Sequence, residues 1–177
     1  SDFAYVRGLV LSLSMIETNG FSASLDYTFQ IAKGSASDPQ QARNAIAGGS
    51  LPEIQLTPLD WDQRNTVNMS LAFDRANWGI SGIGQFGSGL PYTPLSTEDI
   101  SSLVLNSGKK PLTWNADLKG YFIPRNGLRL FIRAENIFDR LNHYTVYDDS
   151  GVADFTRWEN IAKSQNTGEP INSISKW

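Results

Sequence analysis

Polar and apolar residues alternate along several stretches of the chain. From Phe21 to Ile31, all six odd positions are apolar and all five even positions are polar. A period of two is typical of a β-strand with one apolar and one polar face, and no helix has this period. The same alternation recurs and predicts six strands, at about residues 4–17, 21–33, 63–75, 78–87, 111–123 and 128–138.

Short and long connections alternate between these strands. The short ones are tight turns that contain Asn, at residues 18–20, 76–77 and 125–127, and two of them contain Asn-Gly. Asn-Gly supplies the positive φ that tight hairpins need. A three-residue, a two-residue and a three-residue loop would pair Glu17 with Phe21, Arg75 with Trp78 and Pro124 with Leu128. Each pairing brings the apolar residues of two strands onto one face, so the sequence predicts three hairpins.

The long connections cover residues 34–62, 88–110 and 139–177. Short turns at one rim and long outer loops at the other are typical of outer-membrane barrels. The apolar face from Phe21 to Ile31 spans roughly 33 Å of strand, which rises roughly 25 Å at a tilt of about 40° and matches the lipid-facing band. About eight strands are the practical minimum for closure. We therefore expect an all-β fold, an antiparallel up-and-down transmembrane β-barrel segment that forms only part of a barrel.

Composition narrows the function classes. A net charge of -3 and an isoelectric point near 5.1 argue against nucleic acid as a partner. The chain has no cysteine, which excludes disulfides and zinc-thiolate sites. The mean hydropathy of -0.30 is compatible with a barrel wall, because only every second residue of such a wall is apolar.

Three motifs, in order along the chain, carry a resemblance to a known family. Residues 60–66 (D-W-D-Q-R-N-T) resemble a D-Q-R-H-T element, with Asn65 where His is usual. Residues 87–94 look like G-S-G-x-P-Y-T-P, and residues 135–140 resemble E-N-L-F-D-R. Together they resemble the C-terminal barrel of TonB-dependent receptors, in the subgroup with a carboxypeptidase-regulatory-like domain. The loop at residues 144–151 fits the same subgroup.

The resemblance implies a fragment of a barrel of about 22 strands, roughly its strands 16 to 21. It implies location in the outer membrane of a Gram-negative-type bacterium and uptake of a scarce nutrient (siderophore, cobalamin or glycan), without catalysis or a cofactor. Expected partners are outer-membrane lipid, the plug domain of the same protein, TonB through regions outside this chain, and a small-molecule ligand. Two alternatives stay open: a passive porin-like barrel, or a soluble secreted β-sandwich that binds carbohydrate.

Candidate site residues follow from the loops and the polar face. Aromatic and histidine side chains of the long loops could contact a ligand: Trp61, Tyr92, His143, Tyr144, Tyr147 and Trp158. Charged residues on the polar face are expected to face the lumen: Asp26, Asp74, Asp117, Lys119, Arg129, Arg133 and Glu135. Asp117 and Arg133 are expected to form a pair across adjacent strands, directly opposite or one diagonal apart. Arg7 interrupts the apolar face opposite Ile31, at the level of lipid headgroup phosphates.

Other motifs carry little chemistry. Gly82 to Gly87 matches G-x-G-x-x-G, but it lies within a predicted strand and leads into Ser-Gly-Leu-Pro, where no helix can begin. His143 is the only histidine, and its neighbours indicate a loop position and not a catalytic one. Four carboxylates at residues 148, 149, 154 and 159 could bind calcium, but they lack the EF-hand spacing and are better explained as a solvated loop.

Overall fold

The fold is all-β and antiparallel. A computed structural model describes residues 3–35, 47–49, 56–95 and 104–157. Its strands are β1 (Ala4–Thr18), β2 (Phe21–Gly34), β3 (Thr57–Pro58), β4 (Asn65–Asp74), β5 (Trp78–Gly87), β6 (Pro91–Tyr92), β7 (Gly108–Lys109), β8 (Thr113–Arg125) and β9 (Leu128–Ala134). Among the described residues, no helix is long and apolar enough to cross a membrane.

The main sheet has the order β1-β2-β4-β5-β8-β9, and β3 pairs with the end of β2. The six long strands are the six that the alternation predicts, in order. Within the described ranges, β1 and β9 each pair on one side only, so these strands form an open sheet and not a closed barrel. The strands β6 and β7 form a separate two-stranded sheet within the loop at 88–110.

The hairpin turns keep the predicted face pairing, but the first and the third are one residue shorter than predicted. Between β1 and β2 the turn is the two residues Asn19 and Gly20, with φ of 54° and 83°, and not a three-residue loop. A register shift between Met15 and Thr18 compensates for the missing residue, so Arg7 still lies opposite Ile31. The third turn is the two residues Asn126 and Gly127, since Arg125 and not Pro124 pairs with Leu128, and a register shift between Phe122 and Arg125 compensates. The turn after β4 is the predicted one, since the backbone N–H of Arg75 donates to the carbonyl of Trp78 at 2.7 Å.

The last strand is shorter than the alternation predicts. It ends at Ala134 and not at residue 138. Asn136 and Asp139 both have φ of 49°, in the left-handed region that breaks a strand. The side chain of Asn136 also accepts the N–H of Arg140 at 2.9 Å, which stabilises the bend.

The register builds two chemically different faces. One row of directly paired residues on the apolar face is Leu11, Tyr27, Val67, Phe86 and Trp114. The row on the opposite face is Ser12, Asp26, Asn68, Gln85 and Asn115. We call these the apolar face and the polar face of the main sheet. In each hairpin the apolar residues of both strands lie on the same face, so the apolar face and the polar face extend across all six long strands.

Little apolar surface is buried. The buried hydrophobic residues of the described ranges are Ala32 and Leu59, while Leu9 is 63% and Ile132 is 74% exposed. A water-soluble domain covers the apolar face of a sheet with a second layer. No described element covers this apolar face, so within the described residues the main sheet is a single layer.

Candidate ligand-binding site on the polar face

A buried carboxylate fixes the chain where it enters the polar face. Asp62 is fully buried, and its Oδ1 accepts the backbone N–H of Ala32 at 2.7 Å. Its Oδ2 pairs with the Nε of Arg64 at 2.7 Å. The N–H of Leu59 donates to the carbonyl of Ala32 at 3.1 Å. These contacts hold residues 59–64 against the end of β2, next to the start of β4.

Asn106 connects two of the long loops. Its Nδ2 donates to the carbonyl of Pro58 at 2.8 Å and to Oδ1 of Asp60 at 2.7 Å. Its backbone N–H donates to Oγ1 of Thr93 at 3.0 Å. The positive φ of Asn106, 55°, turns the chain back toward β7. The loop at 88–110 is therefore anchored to the segment beside β2.

The third loop is tied to the same cluster. The N–H of Leu95 donates to the carbonyl of Asp148 at 3.0 Å, and Nζ of Lys110 donates to the carbonyl of Tyr144 at 3.1 Å. The Tyr92 ring packs where a Cβ on Gly108 or Gly151 would stand. The described parts of the three long loops thus hold one another at one end of the sheet.

A concavity of about 410 Å³ opens on the polar face beneath these loops, and β4, β5, β8 and the segment after β9 border it. Carboxamide side chains dominate its lining: Gln63, Asn68, Gln85, Asn115, Asn136 and Asn142. Among the described lining residues, only Tyr144 has an ionisable side chain. The site therefore offers hydrogen-bond donors and acceptors without a formal charge.

Several of these carboxamides already have structural partners. Asn142 accepts the N–H of Trp114 at 3.0 Å and donates to its carbonyl at 2.9 Å, so it extends the ladder of β8. Gln63 donates to the carbonyl of Ser88 at 3.0 Å. Asn68 and Gln85 differ, because they are exposed, lie directly opposite each other and have no hydrogen-bond partner among the described residues. They are the groups best placed to contact a solute.

The predicted ligand-contacting residues are not brought together. Tyr144 lines the concavity and is 79% exposed. Trp61 and Tyr147 are exposed elsewhere in the loops, and His143 is half-buried outside the lining. Tyr92 packs within the loop cluster, and Trp158 lies outside the described residues. The carboxamides are not among the predicted site residues, which are charged, aromatic or histidine side chains, although Asn68, Gln85 and Asn115 occupy polar positions in the alternation.

Six of the seven predicted lumen charges lie at polar-face positions of the strands, while Glu135 lies just beyond the end of β9. The expected ion pair does not form. Asp117 lies one diagonal from Arg133, since Lys119 is the direct partner of Arg133. The Asp117 carboxylate accepts the backbone N–H of Asn136 at 2.8 Å instead. Arg133 pairs instead with Glu135, just beyond the end of its strand, at 2.9 Å. The bend after Ala134 turns a backbone N–H toward Asp117, which explains why Asp117 binds this N–H and not Arg133.

Near the short turns, a second set of side-chain contacts on the polar face surrounds the Tyr121 ring. Gly79 lies directly opposite Tyr121, and its missing side chain leaves room for the Tyr121 ring. The Tyr121 hydroxyl donates to Oδ1 of Asp74 at 2.8 Å. The guanidinium of Arg129 lies 4.8 Å from the centre of the same ring. These contacts link β4, β5, β8 and β9 at this rim.

The metal and nucleotide motifs find little support. The described residues contain no group of three His, Cys, Asp or Glu side chains placed to hold a metal ion. In the acidic loop, Asp149 accepts Oγ1 of Thr156 at 2.8 Å and the N–H of Arg157 at 2.6 Å, while Glu159 lies outside the described residues. Gly82 and Gly84 lie within β5 on the apolar face, as the sequence predicted, and not before a helix.

Comparison with known proteins adds no relative. No family model, curated protein or solved structure matches this chain. The arrangement of the two faces and the loop cluster therefore carries the functional argument.

Proposed function

We propose that this chain forms part of the wall of an outer-membrane transport barrel of the TonB-dependent type, with several of its external loops. The observation that carries the proposal is the continuous, exposed apolar face of a single-layer sheet whose other face is polar. In this role the apolar face contacts lipid, and the polar face lines the lumen.

The exposed apolar surface favours a membrane over water. Soluble monomers rarely expose continuous apolar patches larger than a few hundred Å². Here Leu9, Leu13, Leu130 and Ile132 are all more than half exposed, and they belong to both outer strands of the sheet. A carbohydrate-binding sandwich would bury these side chains under a second sheet, and the described residues supply no such layer.

The ends of the sheet fit the orientation of such a barrel. The tight turns form one rim, where the N–H of Asp74 donates to the carbonyl of Gly20 and the N–H of Ile123 donates to the carbonyl of Asn77, both at 2.7 Å. The loop cluster lies at the opposite end. In outer-membrane barrels the short turns are periplasmic and the long loops extracellular. The concavity then lies inside the wall near the outer opening, where an incoming solute first meets the lumen.

Energy coupling separates the proposed receptor from a passive barrel. The ordered motifs at residues 60–66, 87–94 and 135–140 support the receptor type. In that type a plug closes the lumen and TonB drives import of a scarce nutrient, here a siderophore, cobalamin or glycan. Both coupling parts lie outside this chain, whose own residues supply wall and loops.

Deletion and energy depletion together test the proposal. In cells that carry the full-length gene, the protein should fractionate with the outer membrane. Its deletion should abolish uptake of one scarce solute, and collapse of the proton gradient should stop the same uptake. Uptake that survives collapse of the gradient supports the passive barrel. A protein found only in soluble fractions contradicts both barrel functions.

A further inference from the structure

Two cations lie on the apolar face near the loop end of the sheet. Arg7 on β1 faces Ile31, and Lys33 on β2 faces Tyr5. The two cations therefore occupy adjacent strands one diagonal apart. Diagonal neighbours on one face are about 7–8 Å apart, so two long side chains can converge on one anionic group.

Neither cation has an anionic partner among the described residues. The ion pairs there join Arg64 to Asp62 and Arg133 to Glu135. Arg7 lies over the Tyr5 ring, with its Cζ 5.4 Å from the ring centre. A cation on an aromatic face keeps its N–H groups available at the edge of the guanidinium. Within the described residues, the charges of Arg7 and Lys33 are therefore uncompensated, and the Tyr5 ring orients that of Arg7.

At the loop end of the sheet, the cations are confined to one corner of the apolar face. Outward positions of β4, β5 and β9, and of β8 from Trp114 to Phe122, carry no Lys or Arg, while Arg125 pairs with Leu128 at the opposite rim. Just below the cations, Leu9 pairs with Phe29 and the apolar band begins. Above them, the rings of Phe3 and Tyr5 lie 6.3 Å apart. Aromatic and basic side chains at the end of an apolar band are typical of the boundary between lipid tails and headgroups.

We propose that Arg7 and Lys33 bind the phosphate of a phosphorylated lipid in the outer leaflet, with its acyl chains along Leu9 and Phe29. The proposal rests on the proposed function, because the barrel orientation places this end of the sheet in the outer leaflet. Charge complementarity selects the phosphate, and the apolar band directly beneath the cations selects a lipid over a soluble anion. The wall would thereby hold a specific lipid at the β1–β2 hairpin.

Lipid binding to the full-length protein tests this site. The purified protein in neutral detergent is titrated with bis-phosphorylated lipid A, with the same lipid after phosphate removal, and with inorganic phosphate, and the bound species are counted by native mass spectrometry. The double variant Arg7→Gln/Lys33→Gln should bind the phosphorylated lipid about tenfold more weakly, because each basic residue near a membrane surface contributes attraction. The loss should shrink in high salt, which screens the wild-type contact.

A matched control comes from the polar face. Lys119 and Arg133 are also one lysine and one arginine facing each other on adjacent strands. The double variant Lys119→Gln/Arg133→Gln should retain lipid like the wild type. Equal loss in both double variants, or equal binding of the dephosphorylated lipid, overturns the proposal. Binding of inorganic phosphate at the same concentration also overturns it, since that identifies a simple anion site. A protein that enters membranes yet shows no lipid preference refutes this site alone, whereas one that never enters membranes refutes the proposed function.

Discussion

The Asp62 carboxylate accepts the backbone N–H of Ala32 at 2.7 Å, and neither residue is exposed to solvent. This contact joins the end of one long strand to the loop that leads into the next. Removal of a buried acceptor of this kind costs more stability than its hydrogen bond contributes, because the buried N–H is then left without a partner.

Removal of the Asp62 carboxylate should destabilise the sheet end. We expect Asp62→Ala to lower the free energy of unfolding by about 2–3 kcal/mol, from the lost charge-assisted bond and the unpaired N–H of Ala32. Urea unfolding of the full-length protein in detergent measures this. Asp26→Asn is the control, since Asp26 is exposed on the polar face and its change should stay within about 0.5 kcal/mol. Equal effects of the two variants would show that the buried contact has no special role.

The pairing of Gly79 with Tyr121 should tolerate no side chain. A Cβ on Gly79 would overlap both the Tyr121 ring and the Asp74 carboxylate. We expect Gly79→Ala to cost about 1–3 kcal/mol by overpacking, measured as a lower melting temperature in detergent. Gly82→Ala in the same strand is the control, because its Cβ would meet its nearest neighbour at 3.7 Å, an ordinary contact. A Gly79→Ala protein as stable as Gly82→Ala would contradict the ring placement.

Replacement of the exposed carboxamides of the concavity should weaken solute uptake without disturbing the fold of the sheet. Asn68→Ala and Gln85→Ala should each weaken apparent affinity about fivefold, as expected for one lost hydrogen bond. Initial uptake rates over a range of concentrations of the solute identified by gene deletion provide the test. Ser12→Ala serves as the control, because Ser12 lies in the same polar row but outside the concavity. Unchanged affinity in both carboxamide variants would exclude this concavity from the solute path.

A charge on the apolar face should obstruct membrane assembly. Leu13→Arg places a cation at the middle of β1 on the apolar face, where barrels lose about 2–4 kcal/mol. We expect a reduced yield in the outer membrane and a lower unfolding midpoint in detergent. Ser12→Arg, one residue away on the polar face, should assemble normally. Normal assembly of both variants would indicate that Leu13 does not contact lipid.

The sequence could predict the sheet because alternation and turn length are local properties. The two-residue length of the turn at Ala76 and Asn77 was enough to predict which residues of β4 and β5 lie on the same face. The position of Arg7 opposite Ile31 also followed, even though the real turn is one residue shorter. Strand order across the long loops needed tertiary contacts, since alternation does not say which hairpins are neighbours.

The details of the site depended on contacts that no local pattern encodes. Asp62 gave no sign of burial, because its two partners come from a distant strand end and from the second residue after it. The expected pair of Asp117 and Arg133 failed because the bend at Asn136 offered Asp117 a backbone donor. Alternation puts Asn68 and Gln85 at polar positions of their strands. That they lack hydrogen-bond partners among the described residues appears only once neighbouring strands are in register.

Accessibility of the two faces in the native membrane tests the central claim most directly. The chain has no cysteine, so single cysteines report without background. Leu118→Cys and Lys119→Cys place one thiol on each face of β8, and both parent residues are exposed. In outer membranes that contain the full-length protein, Leu118→Cys should react with a lipid-soluble maleimide and resist a charged one, while Lys119→Cys should react with the charged one. Equal reaction of both thiols with the charged reagent would contradict a wall whose apolar face contacts lipid.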